Sequence, residues 1–137
     1  MGTQKSTNNL FGEMIYSYSR AEALADGVLV DVSVMAREAG IRVNVALTLA
    51  VWEKCVVWTE LDNTRQCRQD QSGRLWDVLC MCARAGRRVN SDRVTFTVMS
   101  IPRDGTSRRP GLVTLRMTIG PGDQGEPVIT ILEPGES

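Results

Sequence analysis

At Arg93 the hydrophobic period of this chain changes from 3.6 residues to 2, and that single change constrains the fold more than any other feature. Upstream, apolar side chains recur at helical spacing: Val32, Met35, Ala36 and Ala39, then Leu49, Trp52 and Val56, then Leu75, Trp76, Leu79, Ala83 and Gly86. Downstream, Val94, Phe96 and Val98 alternate with Thr95 and Thr97. Val113, Leu115, Met117 and Ile119 then alternate with Thr114, Arg116 and Thr118. A third run, Val128–Leu132, follows the turn-rich stretch Gly120–Pro127. Helices that precede strands, rather than interleave with them, point to an α+β domain. The expected architecture is three or four helices packed on one face of a small, mainly antiparallel sheet of three or more strands. The last three strands are expected to form a meander, and short stretches near residues 28–30 and 42–46 are candidates to widen it.

Local punctuation sets the expected boundaries. Ser19 is a suitable N-cap for a short helix over Arg20–Ala25, ended by Asp26-Gly27. Asp31 is the expected N-cap of a helix that stops at Gly40, where a left-handed residue is needed. Thr48 caps a third, reaching about Trp58. Asp62–Gly73 is polar and reads as a loop with room for one turn of helix. Ser72 caps the longest helix, which runs to about Arg88. Residues 1–10 are polar and expected to form a flexible tail, with residues 11–137 a single domain. Phe11–Ser19 reads as a strand or a docked loop. No stretch approaches the roughly 18 apolar residues of a membrane span, so no membrane partner is expected. Met1–Leu10 lacks the apolar run of a secretory signal, which makes a cytoplasmic location the expectation.

Charge is segregated although the net charge is zero. Residues 1–64 carry 5 basic and 8 acidic side chains, residues 65–109 carry 10 and 4, and residues 110–137 carry 1 and 4, giving −3, +6 and −3. The plain account is neutralisation between elements that pack together. The sharper one is a basic surface for an acidic partner or a phosphate backbone. Its candidate residues are Arg84, Arg87 and Arg88 at the carboxyl end of the longest helix, Arg93 at the start of the first strand, and Arg103, Arg108 and Arg109 in a hydroxyl-rich connection expected to be flexible. The helix dipole alone is a sufficient reason for the first three.

Chemistry is harder to place. The chain has no histidine, so the commonest general base and transition-metal ligand is absent. Cys55, Cys67, Cys80 and Cys82 lack the paired spacing of a zinc site, and no metal or cofactor is expected. Cys67, flanked by Arg65 and Arg68, is the one cysteine set in a polar stretch. Carboxylate pairs such as Glu53 with Asp62, or Asp70 with Asp77, are candidates for acid–base work, but their spacing forces none together. The glycine-rich Gly120–Pro127 precedes a strand rather than a helix, so it reads as a turn and not a phosphate loop. Trp58, at a helix end beside a polar stretch, is the expected interface anchor.

The segments FGEMIYSYSRAEALADGVLVDVS, AREAG, AVWEKCV, QDQSGRLWDVLCM and IGPGDQGEPVITILEPGES resemble an uncharacterised family of short proteins carried by phages and plasmids. GRLWDVL and GPGDQGEPVITILEPGE are the most specific pieces. The resemblance implies no catalytic residue. It implies mobile-element company, and with it a non-enzymatic protein that binds a host protein, such as an inhibitor of a host defence system (anti-CRISPR or anti-restriction). Two other expectations stand beside it: a nucleic-acid-binding accessory protein using the arginines of 65–109, and a small carboxylate-dependent enzyme. A homodimer is a further expectation, through an edge strand at Arg93–Ile101 or at Val128–Leu132.

Overall fold

The structure is a computed structural model, and it describes residues 18–88 and 90–136 together with the backbone of residues 9–10 and 13–14. Those two short pieces, β1 (Asn9–Leu10) and β2 (Glu13–Met14), pair antiparallel. The rest of the expected tail, and most of the Phe11–Ser19 stretch, lies outside the described residues.

The first helix matches its sequence signals closely. α1 (Arg20–Ala25) opens with a capping box in which Ser19 and Glu22 satisfy each other's backbone amides, and Gly27 follows in the left-handed region at φ 77°. β3 (Leu29–Asp31) leads into α2 (Ser33–Glu38), which stops at Gly40, φ 94°, as expected. Asp31 is not its cap. It belongs to β3, and its carboxylate accepts the Ser33 hydroxyl at 2.6 Å, while Ser33 Oγ in turn accepts Val45 N–H at 3.0 Å. This ties the start of α2 to β4 (Asn44–Thr48).

Thr48 does cap the next helix, accepting Val51 N–H. Only α3 (Leu49–Val51) is α-helical, however. Trp52–Val56 widens into a π-helical turn that places Cys55 and Val56 in the core, and the helix ends before Trp58. The polar stretch expected to be mainly loop starts with α4 (Glu60–Arg65), held by a second capping box between Thr59 and Asp62. α5 spans Gln71–Arg88, starting two residues earlier than Ser72 as cap requires. Asp70 supplies the cap instead, its carboxylate accepting Gly73 N–H at 2.7 Å.

β5 (Arg93–Ser100), β6 (Gly111–Pro121) and β7 (Pro127–Leu132) form the expected antiparallel meander. The two tentative stretches upstream became β3 and β4, and the sheet has five strands in the order β3-β4-β7-β6-β5. β4 and β7 run parallel and the other neighbours antiparallel, so the fold is α+β with a mixed sheet. β7 is therefore interior. Val128, Ile129, Ile131 and Leu132 are all buried, the continuous pattern of a strand covered on both sides. Val128–Leu132 is thus removed as a free edge, and β5 remains one.

The core lies on one face of the sheet. Val45, Leu47, Val94, Phe96, Leu115, Met117 and Ile131 meet Ala36 of α2, Val51 and Cys55 of the helix after β4, and Val78, Leu79 and Cys82 of α5. α1 lies elsewhere: its Arg20 donates to the Thr130 hydroxyl at 2.8 Å, and Thr130 alternates with Ile129 and Ile131 toward the other face. A single helical face does not describe α1, because this arginine needs the oxygen acceptors on the reverse side.

Candidate functional site

The arginines singled out in the sequence fall into two groups, at opposite ends of β5. Eight residues of extended chain put about 23 Å between them at roughly 3.3 Å per residue. The +6 segment is therefore not one patch.

At one end, Arg84, Arg87 and Arg88 occupy the last turns of α5, and Arg93 opens β5. Arg84 and Arg88 line a shallow groove between α5 and β5 with Val94–Thr97. Arg87 points elsewhere: its Nη2 would lie 3.1 Å from a Cβ built on Gly40, beside α2. Arg93 alternates with the buried Val94, Phe96 and Val98, which puts it on the face turned away from α5. All four side chains are exposed, and none makes a hydrogen bond or ion pair with another described residue.

At the other end, the connection Pro102–Pro110 is built quite differently. Gln66, only 3% exposed, lies beneath it. Its side-chain amide donates to Pro102 O at 2.7 Å and Ser107 O at 2.6 Å, and its carbonyl accepts Gly105 N–H at 3.1 Å. Asp62, also buried, accepts Arg103 Nε–H at 2.7 Å while still capping α4 through Thr59 N–H. Above them Asp104 accepts Thr106 N–H at 2.9 Å and Ser107 N–H at 2.8 Å, and the Ser107 hydroxyl as well. Arg103 hydrogen bonding, followed by the Thr59 contacts, holds the Asp62 carboxyl below the usual carboxylate range. Hydrogen bonds from the Ser107 hydroxyl and amide bring Asp104 down to about 2. The expected flexible connection is thus a pinned one, because buried Gln66, just after α4, satisfies its backbone and Asp62 of α4 holds the Arg103 side chain. It leaves Arg108 and Arg109 exposed and unpaired among the described residues.

A buried cation braces this end. Arg74, 4% exposed, donates to Val56 O and Lys54 O at 3.2 Å each, to Ile101 O at 3.0 Å and to Gln69 Oε1 at 2.9 Å. The π-turn frees carbonyls at its end, and the guanidinium takes them up. It also stacks on Trp58, 4.6 Å from the ring centroid. Trp58, the expected interface anchor, is 5% exposed and donates to Asn63 Oδ1 at 2.8 Å, so its indole packs within the domain. The exposed indole is that of Trp76, 39% accessible, which the helical stripe had assigned to the core.

Two of the candidate carboxylates have structural partners. Asp62 is committed to Arg103 and Asp70 to the start of α5. An open depression of about 650 Å³ holds Lys54, Glu133 and Glu136. Glu133 faces Lys54 at 3.5 Å, and Glu136 accepts the Thr48 hydroxyl at 2.7 Å and Glu133 N–H at 2.8 Å. The four thiols are free. Burial pushes the Cys82 thiol up to about 12, where it serves as an apolar neighbour of Met117. Among the described residues no group of three His, Cys, Asp or Glu is placed to hold a metal, and no helix is long and apolar enough to cross a membrane.

Residues 7–137 match a family of unknown function, DUF6573. The chain belongs to that family. The match spans all the described elements of the sheet and helices, including both arginine groups. No curated protein and no solved structure matches the chain.

What the sequence missed was the pinning. Gln66 sits among Asn, Gln, Arg and Asp residues and looks like one more solvated amide. The T-x-x-D spacing of Thr59 and Asp62 was a readable cap signal. Arg74, beside Leu75 in an apolar stripe, was a readable sign of a buried cation.

Proposed function

We propose that this protein acts by binding rather than by turnover, and that its partner is a protein presenting acidic groups to Arg108 and Arg109. The observation that carries this reading is the pinned β5–β6 loop. Three buried side chains order it before any partner arrives: Gln66 bonds its backbone, Asp62 holds the Arg103 side chain, and Arg74 fixes Ile101 just before it. A loop already ordered by its own domain costs a partner little further entropy on docking. Exposed arginine forks on such a loop suit carboxylates, which they contact two bonds at a time. The buried polar side chains Ser33, Asp62, Gln66 and Arg74 are all engaged in structural hydrogen bonds, which favours a presenting surface over a reactive centre.

On this reading the partner is a host protein and the outcome is interference with a defence system, in keeping with the mobile-element setting that the family resemblance implied. Four free thiols fit a reducing cytoplasm. Nucleic-acid binding is the less favoured reading, since the arginines divide between two ends and several sides.

In-cell cross-linking tests the proposal. A discrete partner should be captured by the wild type and by Arg84→Ala/Arg88→Ala, and lost with Arg108→Ala/Arg109→Ala. Equal capture by both double variants overturns the loop as the contact. A duplex gel shift at roughly 50 mM salt, abolished by the loop variant, overturns the choice of a protein partner.

A further inference from the structure

Away from the loop, the outer edge of β5 is open. It is the last strand of the sheet, and no described strand pairs with it. Edges of this kind are usually blunted by proline, lysine or a bulge. Val94–Ser100 contains neither residue, and its register with β6 is unbroken from Arg93↔Thr118 to Ser100↔Gly111.

Two shallow grooves separate this edge from α5. One, about 280 Å³, carries Arg84 and Arg88 level with Val94–Thr97. The other, about 340 Å³, carries Trp76 and Asp77 level with Thr97–Met99. α5 therefore runs antiparallel to β5, with its cations at one end of the edge and an acid and an indole at the other. Trp76 and Met99 are 39% and 52% exposed. Asp77 makes no ion pair among the described residues.

We infer that β5 pairs antiparallel with β5 of a second copy, about a two-fold axis through Phe96, to give one continuous sheet. The sequence is self-complementary about that point. Val94 of one copy lies opposite Val98 of the other, Thr95 opposite Thr97, and Arg93 opposite Met99. A two-fold axis normal to the sheet keeps both α5 helices on the same side and runs them antiparallel. The Arg84 and Arg88 end of one helix then meets the Asp77 and Trp76 end of the other, and the same contact occurs twice. Charge complementarity selects a second copy over an unrelated extended strand, because one helix supplies both signs in the order the symmetry requires.

Light scattering and sedimentation over roughly 1–200 µM test this, with charge reversal as the probe. The wild type should reach twice the 15.1 kDa of one chain. Asp77→Arg alone, and Arg84→Asp alone, should each weaken association about tenfold, since each places like charges together twice. The combined variant should restore it. Asp77→Arg with Arg88→Asp is the second swap, and thermal melting confirms that each variant folds. A wild type that stays monomeric overturns the inference, whatever covers the edge instead. So does a dimer indifferent to the single reversals, or one that the combined variants fail to rescue.

Discussion

The two arginine groups look alike in the sequence and are built on opposite principles. Arg84, Arg87 and Arg88 project from the end of a helix whose own hydrogen bonds hold it, and nothing positions their guanidinium groups beyond the rotamers of long side chains. Arg103, Arg108 and Arg109 ride on a non-helical connection, yet that connection is held at Pro102, Gly105 and Ser107 by Gln66 and at Arg103 by Asp62. Local charge density is the same kind of signal in both places. Order in the loop comes from residues some forty positions earlier, buried beneath it. The comparison shows why a basic run says little about a binding surface until the backbone under it is known.

The largest test of that contrast is Arg74→Met. It removes the guanidinium that joins the π-turn to Ile101, just before the loop, and leaves Lys54, Val56 and Ile101 carbonyls without their donor. The expected loss is about 3 kcal/mol, seen as a fall of roughly 10 °C in melting temperature. Gln66→Ala should cost less, about 2 kcal/mol. Its signature is regional: amide exchange should accelerate across Arg103–Arg109 and stay unchanged in the last turns of α5. Gly40→Ala sharpens the comparison from the helix side. At φ 94°, with Arg87 Nη2 3.1 Å from the new methyl, it should lose about 1–2 kcal/mol by chemical denaturation without loosening the loop.

Acid should also separate the two groups. The Asp62 and Asp104 carboxyls are held below their ordinary value of 3.8, Asp104 at about 2. Groups depressed in the folded state stabilise it above the unfolded value and lose that contribution as pH falls through the folded one. Loop amides Thr106 and Ser107 should therefore lose protection between about pH 4 and pH 2, while the Arg84–Arg88 turn shows no transition tied to those carboxyls. The smallest effect is expected from Arg84→Ala/Arg88→Ala and Arg108→Ala/Arg109→Ala. Each should leave stability within about 0.5 kcal/mol per site, so that any change in binding reports contact and not folding.

Much of the fold was legible because its signals are local. The period change at Arg93, the capping box at Ser19 and Glu22, the stop at Gly40 and the threonine-alternated strands all act within a few residues. The parallel pairing of β4 with β7 was not legible, since alternation tells a strand which face is buried and nothing about its neighbour. The π-turn was missed because Thr48 and the spacing of Leu49, Trp52 and Val56 suit an ordinary helix equally well. Trp58 is more buried and Trp76 more exposed than their positions in the sequence suggest: the first indole stacks on Arg74, and the second sits at the margin of the stripe beside the β5 edge. Of the candidate site, the exposed arginines were legible and the machinery that orders half of them was not.

Hydrogen exchange on the unmodified protein bears most directly on the claim that the β5–β6 loop is ordered in advance of any partner. Gly105, Thr106 and Ser107 amides should exchange far more slowly than an unstructured peptide, and Gln66→Ala should release them. Exchange of these three amides at free-peptide rates in the wild type would contradict it.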